Sequence, residues 1–487
     1  MRLLLYVFSF FLALTSQTFA QMSSHNDYPL RKLEMNDQSL KGGAGMPDDT
    51  LQSPQFIDFK KEIQSYKYKS TRLYCVKNTN DSGFFLSFRF PVGELHNLRL
   101  PLLSACFFAL ESEDMPREKW QSTLSELSCA VDYSCIDDYS ILTLSGANSK
   151  DMESVLRCFA QLLANVHAND SLVRNEMANY ERQRMDAKSV PNAIFGALSR
   201  YAMYGESLTR YTLSNEQLKN QNADSLCDLL RYLLSYRPEI LYYGPMAKGN
   251  LTKMLNKYYK MPRKMNKSSE ENTFDLIPVT ENRVFFLPYS LKKARVMIYH
   301  RSEMNNVDLY PIANVYNCYF GSGDSSVTHK ELKDKHFFAQ SAFVLPTDKD
   351  AYMYNYDFFA TSVDNLLNAL AAMEELNKEL PLSQTDFDRA KEVVKNKLAN
   401  SRIPQNVFLD VYFLNLKRGF ESDYRKLMYE AIDALTLDDM VAFYTKFIQD
   451  KPQFRVIMAD ETEIDGDELQ KLYGPITKLT IDQIFGY

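Results

Sequence analysis

The sequence has only six histidines, and no two of them stand four residues apart. That excludes the commonest helical way of pairing two imidazoles on one metal. It has a single tryptophan and only seven cysteines, Cys75, Cys106, Cys129, Cys135, Cys158, Cys227 and Cys318, none arranged as C-x-x-C. Thiol zinc ribbons and dithiol redox motifs are therefore absent. An odd number leaves at least one thiol unpaired within the chain. Most lie inside apolar patterns and read as small buried hydrophobes, while a Cys129–Cys135 bridge remains open. No long basic run exists and the net charge is −6, which argues against nucleic acid as a partner. After the first twenty residues, no stretch is long and apolar enough to cross a bilayer.

What is present is the composition of a soluble globular protein, 45% hydrophobic and 24% charged over 487 residues. That length calls for more than one core. Residues 1–20 read as a secretory signal, with Arg2, an apolar stretch from Leu3 to Leu14 and Thr18-Phe19-Ala20 before Gln21. An uncleaved anchor is the alternative. The expected location is exported, periplasmic or extracellular. Residues 21–60, rich in polar residues and Gly42-Gly43-Ala44-Gly45, form a flexible lead-in.

From there the chain states one pattern twice. Phe84, Leu86, Phe88 and Phe90 alternate as a strand. Apolar helices follow over Leu100 to Leu110 and residues 117–129. Then come a strand from Tyr139 to Ser145, an amphipathic helix from Asp151 to Val166, a charged helix from Ser171 to Asp186, and a closing strand Ile240-Leu241-Tyr242-Tyr243. A polar, basic segment lacking apolar periodicity leads to the second round. There, strands at Ala294 to His300 and Tyr354 to Ser362 precede an amphipathic helix, a charged helix from Gln384 to Asn400, and a closing strand from Phe454 to Met458. The pattern predicts an α+β protein of two homologous domains, each a mostly antiparallel sheet with helices packed on one face. The domains fall at 61–259 and 283–487, with 260–282 as linker.

The stretch Tyr319 to Ala342, YFGSGDSSVTHKELKDKHFFAQSA, stands at the centre of the second round. Gly321 and Gly323 suit a tight entry to a helix, and Ser325 or Ser326 is placed to cap it.

This order resembles one half of a pitrilysin/insulinase-type metallopeptidase. The likeness rests on PVGELHNLRLPLLSACFFAL, YSILTLSGANSKDMESVLRCFAQLL, LYYGPMAKGNLTKML, the glycine-rich stretch above and the terminal YGPITKLTIDQIFGY. It spans roughly residues 65–487 and is nearest to the zinc-free C-terminal half of long bacterial members. The resemblance implies a half-clamshell. In that family, zinc is held by H-x-x-E-H and a downstream Glu, but the matching helix here, Leu100 to Ala109, has neither His nor Glu. Its one candidate donor is Cys106. His96 reads as a surface or loop histidine, and His329 and His336, seven apart, are separated by about 10 Å of helical rise. The expectation is no catalytic residue, no metal site and no cofactor in this chain, with zinc only in a partner. Active members carry an Arg and, seven residues on, a Tyr that contact peptide. The matching positions are Lys333 and Gln340, so Gly321, Gly323, Lys333 and Gln340 are the implied substrate-binding residues. Lysine keeps the charge but loses the planar fork.

The implied function is a non-catalytic subunit that holds extended peptides beside a zinc-bearing metallopeptidase partner. The alternatives are a stand-alone binding or structural protein of the same fold, and an active zinc peptidase with unusual ligands.

Overall fold

The computed structural model describes residues 53–259, 264–267, 270–321, 323–335, 337 and 339–487. The expected secretory signal, most of the lead-in and the first residues of the expected linker lie outside the described residues. No described helix is long and apolar enough to cross a membrane.

Fourteen strands are present among the described residues. In the first half they are β1 (Ile63–Tyr68), β2 (Thr71–Lys77), β3 (Phe84–Phe90), β4 (Leu110–Glu111), β5 (Cys129–Cys135), β6 (Ser140–Gly146), β7 (His167–Ala168) and β8 (Glu239–Gly244). The second half holds β9 (Arg283–Pro288), β10 (Lys293–Met304), β11 (Ala339–Val344), β12 (Tyr352–Ser362), β13 (Phe454–Ala459) and β14 (Ile476–Lys478). Strands β4 and β7 pair only with each other. The rest form two six-stranded sheets, β1-β2-β8-β3-β6-β5 and β11-β12-β10-β13-β9-β14.

Five strands correspond in order and direction. The run β5-β6-β3-β8-β2 matches β11-β12-β10-β13-β9, antiparallel at every step until the last, which is parallel in both. The sixth strand breaks the symmetry. β1 joins antiparallel as a hairpin with β2, whereas β14 joins parallel from the C-terminal end. The duplicated α+β unit expected from the sequence is thus present in strand order and polarity.

Alternation decides which face is buried. Phe84, Leu86, Phe88 and Phe90 are at most 1% exposed and pack under the helices of their own half. These include α1 (Leu102–Cys106), α2 (Met152–Ala164) and α3 (Asp170–Ala187). In the second half Val284, Val296, Ile298, Phe343 and Ile457 do the same.

A helix from the opposite half packs on the other face of each sheet. Helix α4 (Pro191–Arg210) lays Ile194, Phe195, Leu198 and Ala202 against Met297, Tyr299, Tyr354, Val456 and Met458 of the second sheet. Reciprocally, helix α5 (Phe408–Arg418) sets Leu409 and Phe413 against Ile63, Tyr74, Val76, Leu241 and Tyr243 of the first sheet. The Tyr74 and Phe413 rings meet edge-on at 5.2 Å.

Several local expectations are revised. All seven cysteines are free. Cys129 and Cys135 occupy opposite ends of β5, about 20 Å apart at ~3.3 Å per residue, so no bridge can join them. Strand β5 itself was not expected as a strand, and the helix before it ends at Glu126. Helix α1 is short, and a 3-10 turn, Phe107–Ala109, takes over from it. Within the lead-in expected to run to residue 60, Ile57 is buried and donates its N–H to the Asp423 carboxylate at 2.9 Å. At the other end of the expected linker, Leu276 and Val279 are buried against α4.

Candidate functional site

Helix α1 occupies the place where the resemblance puts a metal-binding helix. Its Leu102, Leu103 and Cys106 are buried in the first core. Burial, helped by the nearby Glu176 carboxylate of α3, pushes the Cys106 thiol up to about 12. A thiol so held stays protonated and is a poor metal ligand. An acid and a sulfur therefore meet here without an imidazole. Glu176 was not singled out in the sequence, because only the packing of α3 on α1 brings it there. Among the described residues, no group of three or more His, Cys, Asp or Glu is placed to hold a metal ion.

His96 lies in the turn after β3, as expected of a loop histidine, but it does not stand out at the surface. Its side chain is 5% exposed, and its Nδ1 accepts the Gly93 N–H at 3.0 Å. Burial pushes its pKa down. The histidine braces the turn after β3. His300 is held in the same structural way by the Pro452 carbonyl, 2.7 Å away.

The implied substrate-binding residues lie along the glycine turn and the edge strand β11. Residues Asn317–Gly321 form a wide helical turn that covers part of that edge. A Cβ on Gly321 would stand 1.7 Å from the Ser341 carbonyl oxygen, so only glycine permits this approach. Gly323 has φ +90° and open space around it, so its requirement is conformational, not steric. Of the two capping candidates, Ser326 caps helix α6 (Val327–Leu332), accepting from the His329 N–H. Lys333 is exposed in the 3-10 turn that follows. Gln340 is half-buried on β11, opposite Phe358 of β12. The turn thus brings Gly321 against the residue next to Gln340, while Lys333 stands out toward solvent.

Under that edge lies a polar network with no counterpart in the expectations. Asp357, 2% exposed, accepts from the Ser341 hydroxyl at 2.5 Å and from the Asn377 amide at 2.7 Å. Its carboxyl is pushed up to about 6 by burial, against the opposing pull of Ser341, Asn377 and Arg455. Arg455 is itself 2% exposed and stacks 4.3 Å from the Tyr473 ring. The available signal was one acid in an aromatic-rich strand, Tyr354-Asn355-Tyr356-Asp357-Phe358-Phe359. The network fixes β11 to β12 and holds the edge in place.

No protein-family model matches the sequence, and no curated protein matches it. Solved structures do. The peptidase M16 inactive domain from Pseudomonas fluorescens aligns with a TM-score of 0.62 at 13% identity, over 82% of this chain and 97% of that one. The periplasmic protease PqqL from Escherichia coli aligns with a TM-score of 0.62 at 12% identity, over 88% of this chain and 50% of that one. The ferredoxin protease FusC, solved in complex with Arabidopsis ferredoxin, gives 0.62 at 14% identity, over 86% and 47%. This chain therefore spans about half the length of the two proteases and nearly all of the inactive domain. Identities this low speak to architecture alone, and on that footing the chain has the fold of an M16 peptidase half, like that of the inactive domain.

Proposed function

We propose that the chain is a pseudo-peptidase: a non-catalytic, exported half that forms one wall of a peptide-holding chamber. The opposite wall is a separate zinc-bearing M16-type subunit carrying H-x-x-E-H. The observation that carries this reading is helix α1, which presents Leu102, Leu103 and Cys106 to its own core where the catalytic helix would present imidazoles. The half-length match to PqqL and FusC supports it, since two such halves make a protein of their size.

Zinc in the partner supplies the activated water. This chain supplies main-chain edges and shape. Strand β5 ends the first sheet and offers its outer side to an extended peptide. On β11 the corresponding edge is covered at Ser341 and Phe343, which leaves Gln340 and Lys333 to contact peptide through side chains. Lys333 attracts acidic groups or a peptide carboxyl end, and Gln340 hydrogen-bonds.

The test is to purify the chain alone and with exported H-x-x-E-H proteins from the same cell. The reading expects no stoichiometric zinc in the isolated chain, and copurification with one partner whose peptidase activity rises on mixing. Tightly bound zinc with chelator-sensitive turnover by the chain alone would overturn it, as would the failure of every partner to bind or respond.

A further inference from the structure

The second face of the first sheet is only half covered by α5. The covered end is apolar: Ile63, Val76, Leu241 and Tyr243. The other end is a cleft of about 630 Å³ lined by Lys67, Arg72, Arg89, Arg237 and Lys267, with Glu239 as its one acid. Five cations thus gather in a protein whose net charge is −6.

Strand register sets them in a row. Lys67 stands directly opposite Arg72 across β1 and β2. Arg72 and Glu239 each precede the paired residues Leu73 and Ile240, and Glu239 stands opposite Arg89. Four adjacent strands at ~4.8 Å spacing spread this row over about 14 Å. Glu239 is already engaged, since Arg89 binds it at 3.0 Å while stacking on Tyr139 and Phe413. Lys67, Arg72, Arg237 and Lys267 form no ion pair among the described residues. Lys267 is held beside Arg237 because the Arg237 N–H donates to the Asn266 carbonyl at 2.8 Å. The Arg237 Nε is buried with no hydrogen-bond partner among the described residues. Like charges directly opposite on a sheet are destabilising. A fold that keeps Lys67 against Arg72 gives up stability that an anionic ligand restores.

We propose that this cleft binds an extended peptide bearing carboxylates on alternate residues. The spacing favours a peptide over a compact oxyanion. One phosphate spans a single strand gap, whereas alternate side chains of an extended peptide recur every ~7 Å and reach cations along the whole row. The site is distinct from the glycine turn and β11, and it does not depend on the zinc question.

Fluorescence anisotropy of the purified chain with a labelled Glu-Thr repeat of about eight residues tests this, with the Gln-Thr repeat and inorganic tripolyphosphate as comparisons. Saturable binding of the acidic repeat, weakened about tenfold or more between about 50 and 300 mM salt, supports the proposal. So does a loss of about tenfold or more on Arg72→Glu or Lys267→Glu. Lys67→Glu provides a readout that misfolding cannot imitate: it abolishes binding yet raises Tm by about one or two degrees, by turning a like-charged pair into an opposite one. Equal binding of the neutral repeat, indifference to these substitutions, or tighter binding of tripolyphosphate than of the acidic repeat would each overturn it.

Discussion

The Asn317 side chain completes the backbone hydrogen bonding of Phe343, donating to its carbonyl at 2.9 Å and accepting its N–H at 2.7 Å. One amide thereby takes the place of a neighbouring strand. It closes the outer edge of β11 at the point where an added peptide would pair, which is one of the ways sheet edges are protected.

Asn317→Ala leaves that N–H and carbonyl without partners. The expected loss is about 2 kcal/mol of stability by urea unfolding. Faster amide exchange at Phe343 should accompany it. Unchanged exchange would mean that the edge is protected by something other than Asn317.

The two glycines of the turn should respond differently. Gly321→Ala drives a Cβ into the Ser341 carbonyl, a backbone atom that cannot swing aside, so a loss above about 3 kcal/mol is expected. Gly323→Ala meets no neighbour and carries only the strain of a positive φ, about 1 kcal/mol. Equal losses at the two positions would contradict this division.

Asp357 makes stability depend on pH. Its carboxyl titrates near 6 in the folded chain and near its ordinary value of 3.8 when unfolded, because burial disfavours the charged form. The folded state therefore holds the proton more tightly. Its contribution is fully present below about pH 4 and is lost as pH rises through about 6, an effect on the order of 3 kcal/mol. Urea midpoints of the wild type should fall between pH 4 and 6 relative to those of Asp357→Asn. Parallel profiles would show that Asp357 titrates normally.

Because α4 and α5 are exchanged between the halves, neither half has a complete core alone. A fragment ending at Tyr259 lacks α5 and exposes Tyr74, Val76, Leu241 and Tyr243. It is expected to aggregate, and Leu409→Ala in the full chain should cost about 2–4 kcal/mol. Two separable unfolding transitions, with a soluble fragment, would argue against this coupling.

Lys333→Ala and Gln340→Ala separate binding from folding. Lys333 is exposed and Gln340 half-buried, so both changes should leave stability within about 0.5 kcal/mol. If these residues contact peptide, affinity of the assembled pair for extended peptides should fall severalfold by anisotropy. Unaltered affinity would remove them from the binding surface.

The duplicated α+β architecture was legible in the sequence, because a period of two or of 3.6 records which side of an element is buried. The alternation of Phe84, Leu86, Phe88 and Phe90 is such a record. The lack of spaced histidines was equally plain, since ligand pairs on a helix must be near in sequence. Periodicity does not say what an apolar face packs against, and so the exchange of α4 and α5 awaited the tertiary structure. The same holds for Ser341 and Asp357, sixteen residues apart, and for the row that joins Lys67 and Arg72 to Glu239 and Arg89 across 150 residues and more. Each depends on strand order and register, which arise only when distant segments pair.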